Sequence, residues 1–172
     1  MIQTPRLTIR RIVESDWQAA QNIWADFSRS EYAQYDKPHD TDDESVRARI
    51  AKWGKYAESM EHMFFAVCLT GEMVGYIAFN IREHGYEIGY CFHSSAHGKG
   101  YAGEALRALI AHLKTLGIAH FSAGTAINNL PSVRLLLSLG FAQTGSERIS
   151  FYKDTGGTDI FFDGGIFELN VE

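Results

Sequence analysis

Apolar and polar residues alternate from the start of the chain: Leu7 and Ile9 are interleaved with Thr8 and Arg10, the period of two expected of a strand with one buried face. The period then lengthens. Trp17, Ala20, Trp24 and Phe27 recur at helical spacing behind Ser15 and Gln18, which have the spacing of a capping box, so a helix packed inward along that stripe is predicted. Residues 29 to 40 are polar, contain Pro38 and read as a loop. Thr41 and Glu44 repeat the capping-box spacing ahead of Val46, Ile50, Trp53 and Ala57, a second helix.

Residues 62–70, 73–81 and 86–93 are rich in Val, Ile, Phe and Tyr and are separated only by Gly71-Glu72 and Glu83-His84-Gly85. Such short links predict an antiparallel meander. A glycine-rich segment, 94–103, leads into a helix whose apolar positions Leu106, Leu109, Ile110, Leu113 and Leu116 end at Gly117. A strand follows at 120–125, then a short helix from Pro131 to Leu139 stopped by Gly140. From Phe141 the chain returns to β structure, with Gly156-Gly157 and Gly164-Gly165 read as hairpin turns. The helix between strands 86–93 and 120–125 makes those two parallel neighbours in an otherwise antiparallel sheet. The forecast is a mixed α/β fold, with a central, mostly antiparallel sheet flanked by helices in one domain, 1–172.

Composition narrows the function classes. A chain of 172 residues with 45% hydrophobic and 13% aromatic content can build a real core. The formal net charge of -5, without a dense Lys/Arg run, argues against a nucleic-acid partner and suits a cationic one. The two cysteines, Cys68 and Cys91, lie in apolar runs and read as reduced core thiols, which points to the cytoplasm. No apolar run approaches the ~20 residues that span a bilayer, and the first residues lack a signal-peptide core, so no membrane association is expected. Of the seven histidines, His93 and His97 come closest to ligand spacing, but in a loop, so no metal is expected.

The candidate chemistry sits in His97-Gly98-Lys99-Gly100-Tyr101-Ala102-Gly103. Glycines at a tight strand-to-helix turn aim successive backbone N–H groups at one point, and the positive end of the helix adds to the attraction for a diphosphate. A glycine turn with no ligand is the alternative. Lys99 is followed by Gly100 rather than Ser or Thr, so the NTPase motif fails. Gly98, Gly100 and Gly103 match the dinucleotide spacing, but the parallel strand-helix-strand start is missing. An aspartate at Gly100 is expected to set charge against the diphosphate and weaken its binding.

Three blocks extend this loop into a family likeness: Thr4-Pro5-Arg6-Leu7-Thr8-Ile9-Arg10; Glu87-Ile88-Gly89-Tyr90 with His97 to Leu106; and Asn129-Leu130-Pro131-Ser132-Val133-Arg134-Leu135-Leu136 ending in Leu139-Gly140-Phe141. In this order the chain resembles the GCN5-related N-acetyltransferase (GNAT) family, in its ribosomal-protein N-terminal acetyltransferase-like branch. The resemblance implies a GNAT-like acyl-CoA N-acyltransferase fold with a partly splayed sheet. It implies acetyl-CoA (coenzyme A) as cofactor, its diphosphate on the backbone of His97, Gly98, Lys99, Gly100, Tyr101, Ala102 and Gly103. It further implies a bulge near Cys91, Phe92 and His93, where the pantetheine arm pairs like an extra strand, with Asn129 and Ser132 on the far wall. His97 stands where the family has Arg or Gln, and contact of its imidazole with phosphate or an idle loop histidine are both open.

Acetyl transfer needs a neutral amine. A lysine of pKa ~10.4 is neutral in about one molecule in ~2,500 at pH 7, a cost of roughly 4.6 kcal/mol, against about 1 to 1.4 for an α-amine near ~7.7–8.0. Glu87 is the candidate base, or else a paired strand carboxylate; Glu104, in the first helical turn, reads as structural. Leu136 occupies the position of the family's usual tyrosine acid, which leaves Ser132 as the replacement donor to the thiolate, while Asn129 reads equally as a helix cap. Glu31, Tyr32 and Tyr35, in an acidic stretch with Asp36, are the candidate acceptor contacts, and a solvated loop is the alternative. The expected activity is transfer of acetyl from acetyl-CoA to a primary amine, a protein N-terminus or a small molecule, by direct attack in a ternary complex. The enzyme is expected as a monomer or homodimer. The competing reading is an acyl-CoA sensor without turnover.

Overall fold

Strand β3 (His62–Leu69) is buried along nearly its whole length because both faces of the sheet are covered there. Met63, Phe65 and Val67 join one hydrophobic cluster, while Phe64, Ala66 and Cys68, pointing the other way, join a second. The alternation of a strand thus distributes one apolar run between two layers of helix. The computed structural model describes residues 1–171.

Eight strands form one sheet in the order β1-β2-β3-β4-β5-β6-β8-β7. They are β1 (Ile2–Gln3), β2 (Leu7–Arg11), β3, β4 (Glu72–Arg82), β5 (Gly85–Phe92), β6 (His120–Ala126), β7 (Ala142–Lys153) and β8 (Asp159–Asn170). Every neighbouring pair is antiparallel except β5 with β6, so the mixed, mostly antiparallel sheet follows the sequence reading.

Helices α1 (Trp17–Phe27) and α2 (Asp43–Gly54) cover one face. Their buried stripes, Ala20, Ile23 and Trp24 on α1 with Val46 and Ile50 on α2, pack on Tyr76 and Ala78 of β4, and the Trp24 indole donates to the buried Tyr76 hydroxyl at 3.0 Å. Helix α3 (Tyr101–Thr115) covers the other face through Leu106, Leu109, Ile110 and Leu113, joined by Leu136 of α4 (Leu130–Ser138).

Three sequence expectations change. The two capping boxes do not form: Asp16 accepts from the Val13 amide at 2.9 Å, and Asp42 caps α2 by accepting from the Ser45 amide at 2.9 Å. At α2 the aspartate, with its short ionised acceptor, takes over from the neighbouring Thr41, whereas Asp16 at the start of α1 makes no side-chain cap. Gly164-Gly165 is not a turn but lies inside β8, paired with both β6 and β7, because a Cβ at Gly165 would stand 2.7 Å from the Phe167 ring. The supposed loop at 29–40 contains a 3-10 turn, Glu31–Tyr35.

Candidate active site

The sheet opens between β5 and β6. They pair only at Tyr86–Phe121 and Glu87–Ser122, while β4 pairs with β5 as far as Gly75–Phe92 and β8 holds β6 along its whole length. Each parting strand is therefore secured by its other neighbour, and a gap widens towards the C-terminal ends of β5 and β6. The bulge expected near Cys91 to His93 is absent, since β4 and β5 keep one register through Phe92 and the His93 amide still donates to the Val74 carbonyl at 3.0 Å. Divergence of two separately anchored strands makes the opening instead. Because the amide of His93 faces β4, the alternation of a strand turns those of Phe92 and Tyr90 to the gap.

At the end of β5 the chain makes a 3-10 turn, Ser94–Ala96, and enters the glycine loop. Asp26 of α1 anchors that turn, accepting from the Ser94 amide at 2.7 Å and the Ser94 hydroxyl at 2.8 Å. Burial pulls the Asp26 carboxyl upward, but these bonds and the nearby His93 hold it below its usual range. Gly98 and Gly100 have φ of 71 and 78°, left-handed conformations that glycine adopts without a Cβ penalty. Gly100 is the N-cap of α3 and offers no side-chain cap. Among the described residues, no backbone N–H from Gly98 to Gly103 donates a hydrogen bond; the first helical bond is Glu104 to the Gly100 carbonyl at 3.0 Å. These donors at a positive helix end suit a diphosphate, as the cofactor requires.

The side chains around the loop have other duties. The His97 Nε2–H donates to the Phe92 carbonyl at 2.9 Å, and the Lys99 ammonium donates to the Ser95 carbonyl at 2.8 Å. His93 caps the 3-10 turn and shares a 2.9 Å bond with the Ser95 hydroxyl. The Phe92 ring lies on Gly75, and Cys91 packs on the α1/α2 cluster with its thiol pushed up to about 12 by burial, reinforced by the charges of Asp36 and Asp26. A Cβ at Gly100 would point at Arg6, 3.5 Å from its Nη2, so an aspartate there meets the guanidinium as well as the loop and stands at a φ of 78° that strains any side chain.

Across the gap, the Asn129 side chain caps α4 by accepting from the Ser132 amide at 3.3 Å. The Ser132 hydroxyl meets the Tyr90 hydroxyl of β5 at 2.8 Å. Burial pushes the Tyr90 phenol up to about 12, partly offset by the bond to Ser132. Leu136, in the position of the family's tyrosine, is buried in the core beneath α3 and faces no cleft. Glu87 stands at the last β5/β6 pair, its side chain ion-paired with Arg82 and partly exposed. The gap thus brings together Tyr90, Ser132 and the glycine loop, with Glu87 at its closed end.

Glu31, Tyr32 and Tyr35 lie on the 3-10 turn between α1 and α2. Tyr35 packs edge-on against Phe162 of β8 at 5.3 Å, and the Tyr152 hydroxyl donates to the Ala33 carbonyl at 3.3 Å. The Tyr32 phenol is raised by desolvation and the Glu31 charge, with Arg134 of α4 pulling the other way. Sequence reasoning assigned no role to Arg6, Asp26, Arg82 or Tyr90. Arg6 and Tyr90 lay within two of the motif blocks, but their partners are remote in sequence.

A model of the acetyltransferase (GNAT) domain matches residues 6–142. The N-acetyltransferase YnaD of Bacillus subtilis (strain 168) is 32% identical over 147 residues, 84% of each chain. A GNAT-family acetyltransferase from Bacillus anthracis superposes with a TM-score of 0.77 at 26% identity, over 98% of this chain and 97% of that one. The same fold, at 19% identity and a TM-score of 0.81, occurs in a ribosomal L7/L12 alpha-N-protein acetyltransferase solved in complex with coenzyme A, over 98% of this chain and 96% of that one. No helix among the described residues is long and apolar enough to cross a membrane.

Proposed function

This chain belongs to the GNAT acetyltransferase family, is an acetyl-CoA-dependent N-acetyltransferase, and from that premise we propose that it acetylates a primary amine, a peptide N-terminus or a small-molecule amine, by direct attack in a ternary complex. What carries the reading is the gap between β5 and β6, which has free N–H donors at one end and the Tyr90–Ser132 pair across its walls.

Acetyl-CoA supplies an acyl group already activated as a thioester. The chain does the rest. The amides from Gly98 to Gly103 hold the diphosphate, and those of Tyr90 and Phe92 lie where an extended arm can pair with β5 and where a developing oxyanion can be met. Glu87 takes the proton of the attacking amine, directly or through water, and Arg82 fixes its carboxylate. Ser132 offers its hydroxyl to the departing thiolate. The turn carrying Glu31, Tyr32 and Tyr35 edges the acceptor side, where carboxylate and aromatic faces favour an ammonium group arriving from water.

An α-amine is the easier acceptor, since it needs about 3 kcal/mol less than a lysine to be neutral at pH 7. A thiol-release assay with acetyl-CoA tests the reading against peptides with free N-termini, the same peptides blocked at the N-terminus but containing lysine, and small amines. Acceptor-dependent release with free N-termini or small amines is expected. Tight coenzyme A binding without release across the panel would instead identify a sensor.

A further inference from the structure

We propose that Arg6, on the arm that precedes β2, is a positioning residue for the diphosphate, which it serves by fixing the peptide between Lys99 and Gly100. The inference rests on the glycine loop being the diphosphate site. The Arg6 Nη1 donates to the Lys99 carbonyl at 2.8 Å. In a trans peptide the carbonyl and the following N–H point in opposite directions, so holding the Lys99 oxygen on Arg6 turns the Gly100 N–H away from it. Left-handed glycines flank Lys99, and they are the residues least able to hold one peptide orientation by themselves. The loop therefore needs an external tie.

Arg6 is itself held. Its Nε donates to Glu104 Oε2 at 2.6 Å, its Nη2 lies 2.6 Å from the same oxygen, and its amide donates to Oε1 at 3.0 Å. The Thr4 hydroxyl donates to Oε1 at 2.6 Å, and the guanidinium lies 4.6 Å from the centre of the Tyr101 ring. Burial pulls the Glu104 carboxyl upward, but the bonds from Thr4 and Arg6 prevail and keep it low. Glu104 sits in the first turn of α3, so one guanidinium ties together the arm, the helix start and the loop carbonyl. Most of its charge is matched by Glu104, so its work is orientation, and a planar fork performs that where an ammonium cannot.

The test is calorimetry on the full chain with coenzyme A, dephospho-coenzyme A and pantetheine, the last by competition. In the parent protein both diphosphate ligands should bind far more tightly than pantetheine; equal affinities would overturn the loop reading and this inference with it. Arg6→Gln should weaken both diphosphate ligands about tenfold and leave pantetheine unchanged, because only preorganised diphosphate donors are lost. Arg6→Lys should fail to restore affinity. Three outcomes would overturn the inference while leaving the loop reading intact: undiminished coenzyme A affinity in Arg6→Gln, an equal loss for pantetheine, or full recovery with lysine.

Discussion

The hydroxyls of Tyr90 and Ser132 stand 2.8 Å apart and join β5 to the first turn of α4 across the parallel seam between β5 and β6. With its phenol pushed up to about 12, Tyr90 stays protonated through the neutral range and can donate to Ser132, which frees the serine proton for the gap. Ser132→Ala should therefore lower kcat by roughly tenfold to a hundredfold, at or below the low end of proton-transfer effects because a thiolate of pKa ~8.5 leaves readily. Tyr90→Phe should cause a smaller loss in kcat with the KM for acetyl-CoA little changed. Steady-state kinetics decide it, and an undiminished kcat in Ser132→Ala removes the serine from the chemistry.

Glu87 offers a cleaner separation, because its partner Arg82 is exposed and lies outside the gap. If Glu87 accepts the amine proton, Glu87→Gln should lower kcat/KM for the acceptor about a hundredfold at pH 7. The deficit should shrink as pH approaches the acceptor's own pKa, where the neutral amine is supplied by the solvent. Arg82→Ala should cost far less. A glutamine variant with the parent pH-rate profile would leave Glu87 as one half of a strand ion pair.

Features governed by local rules were legible in the sequence. The meander β3–β5 was readable because short polar links separate apolar runs, and the glycine loop because positive φ at Gly98 and Gly100 favours a particular residue type. Gly164-Gly165 misled because a glycine making room for Phe167 looks the same in sequence as one making a turn. The gap depends on where pairing stops, at Glu87–Ser122, which is a matter of how far each strand is secured by its other neighbour and leaves no local trace. Arg6–Glu104 and Tyr90–Ser132 join positions brought together only by the sheet order.

Asp16 sets a pH limit on stability. It is 7% exposed, accepts from Arg10 at 2.7 Å through each oxygen, and accepts from the Val13 amide. Burial alone would raise its carboxyl, yet Arg10's hydrogen bonds, the Val13 amide and Arg10's charge together hold it below its ordinary value. A folded value below the unfolded ~3.9 means the stabilisation is complete above that pH and lost as pH falls through the folded value. Urea midpoints should be nearly flat from pH 7 to about 5 and fall below about 4, with Asp26 and Glu104, also held low, adding to the fall. Asp16→Asn should cost about 2 kcal/mol at pH 7, less than a fully buried pair because Arg10 is partly exposed, and should flatten the acid limb. An unchanged acid limb would assign it to other carboxylates.

If the turn carrying Glu31, Tyr32 and Tyr35 edges the acceptor side, as proposed, the contact of Tyr35 with Phe162 bears on which amine is accepted. It bridges the turn after α1 to β8, beside the Tyr152–Ala33 bond, so the acidic turn is held at a fixed distance from the β7–β8 hairpin. An aromatic pair of this geometry is worth about 0.5–1.5 kcal/mol, and about 1.4 kcal/mol is a tenfold change in affinity. Tyr35→Ala should accordingly raise the acceptor KM up to about tenfold while the KM for acetyl-CoA stays within about twofold. Phe162→Ala should do the same, and the double variant should be no worse than either alone, because each removes the same bridge. A rise in the acetyl-CoA KM instead would place this turn on the cofactor side of the gap, and additive losses would mean that the two rings meet the acceptor separately rather than shaping its entrance as a unit.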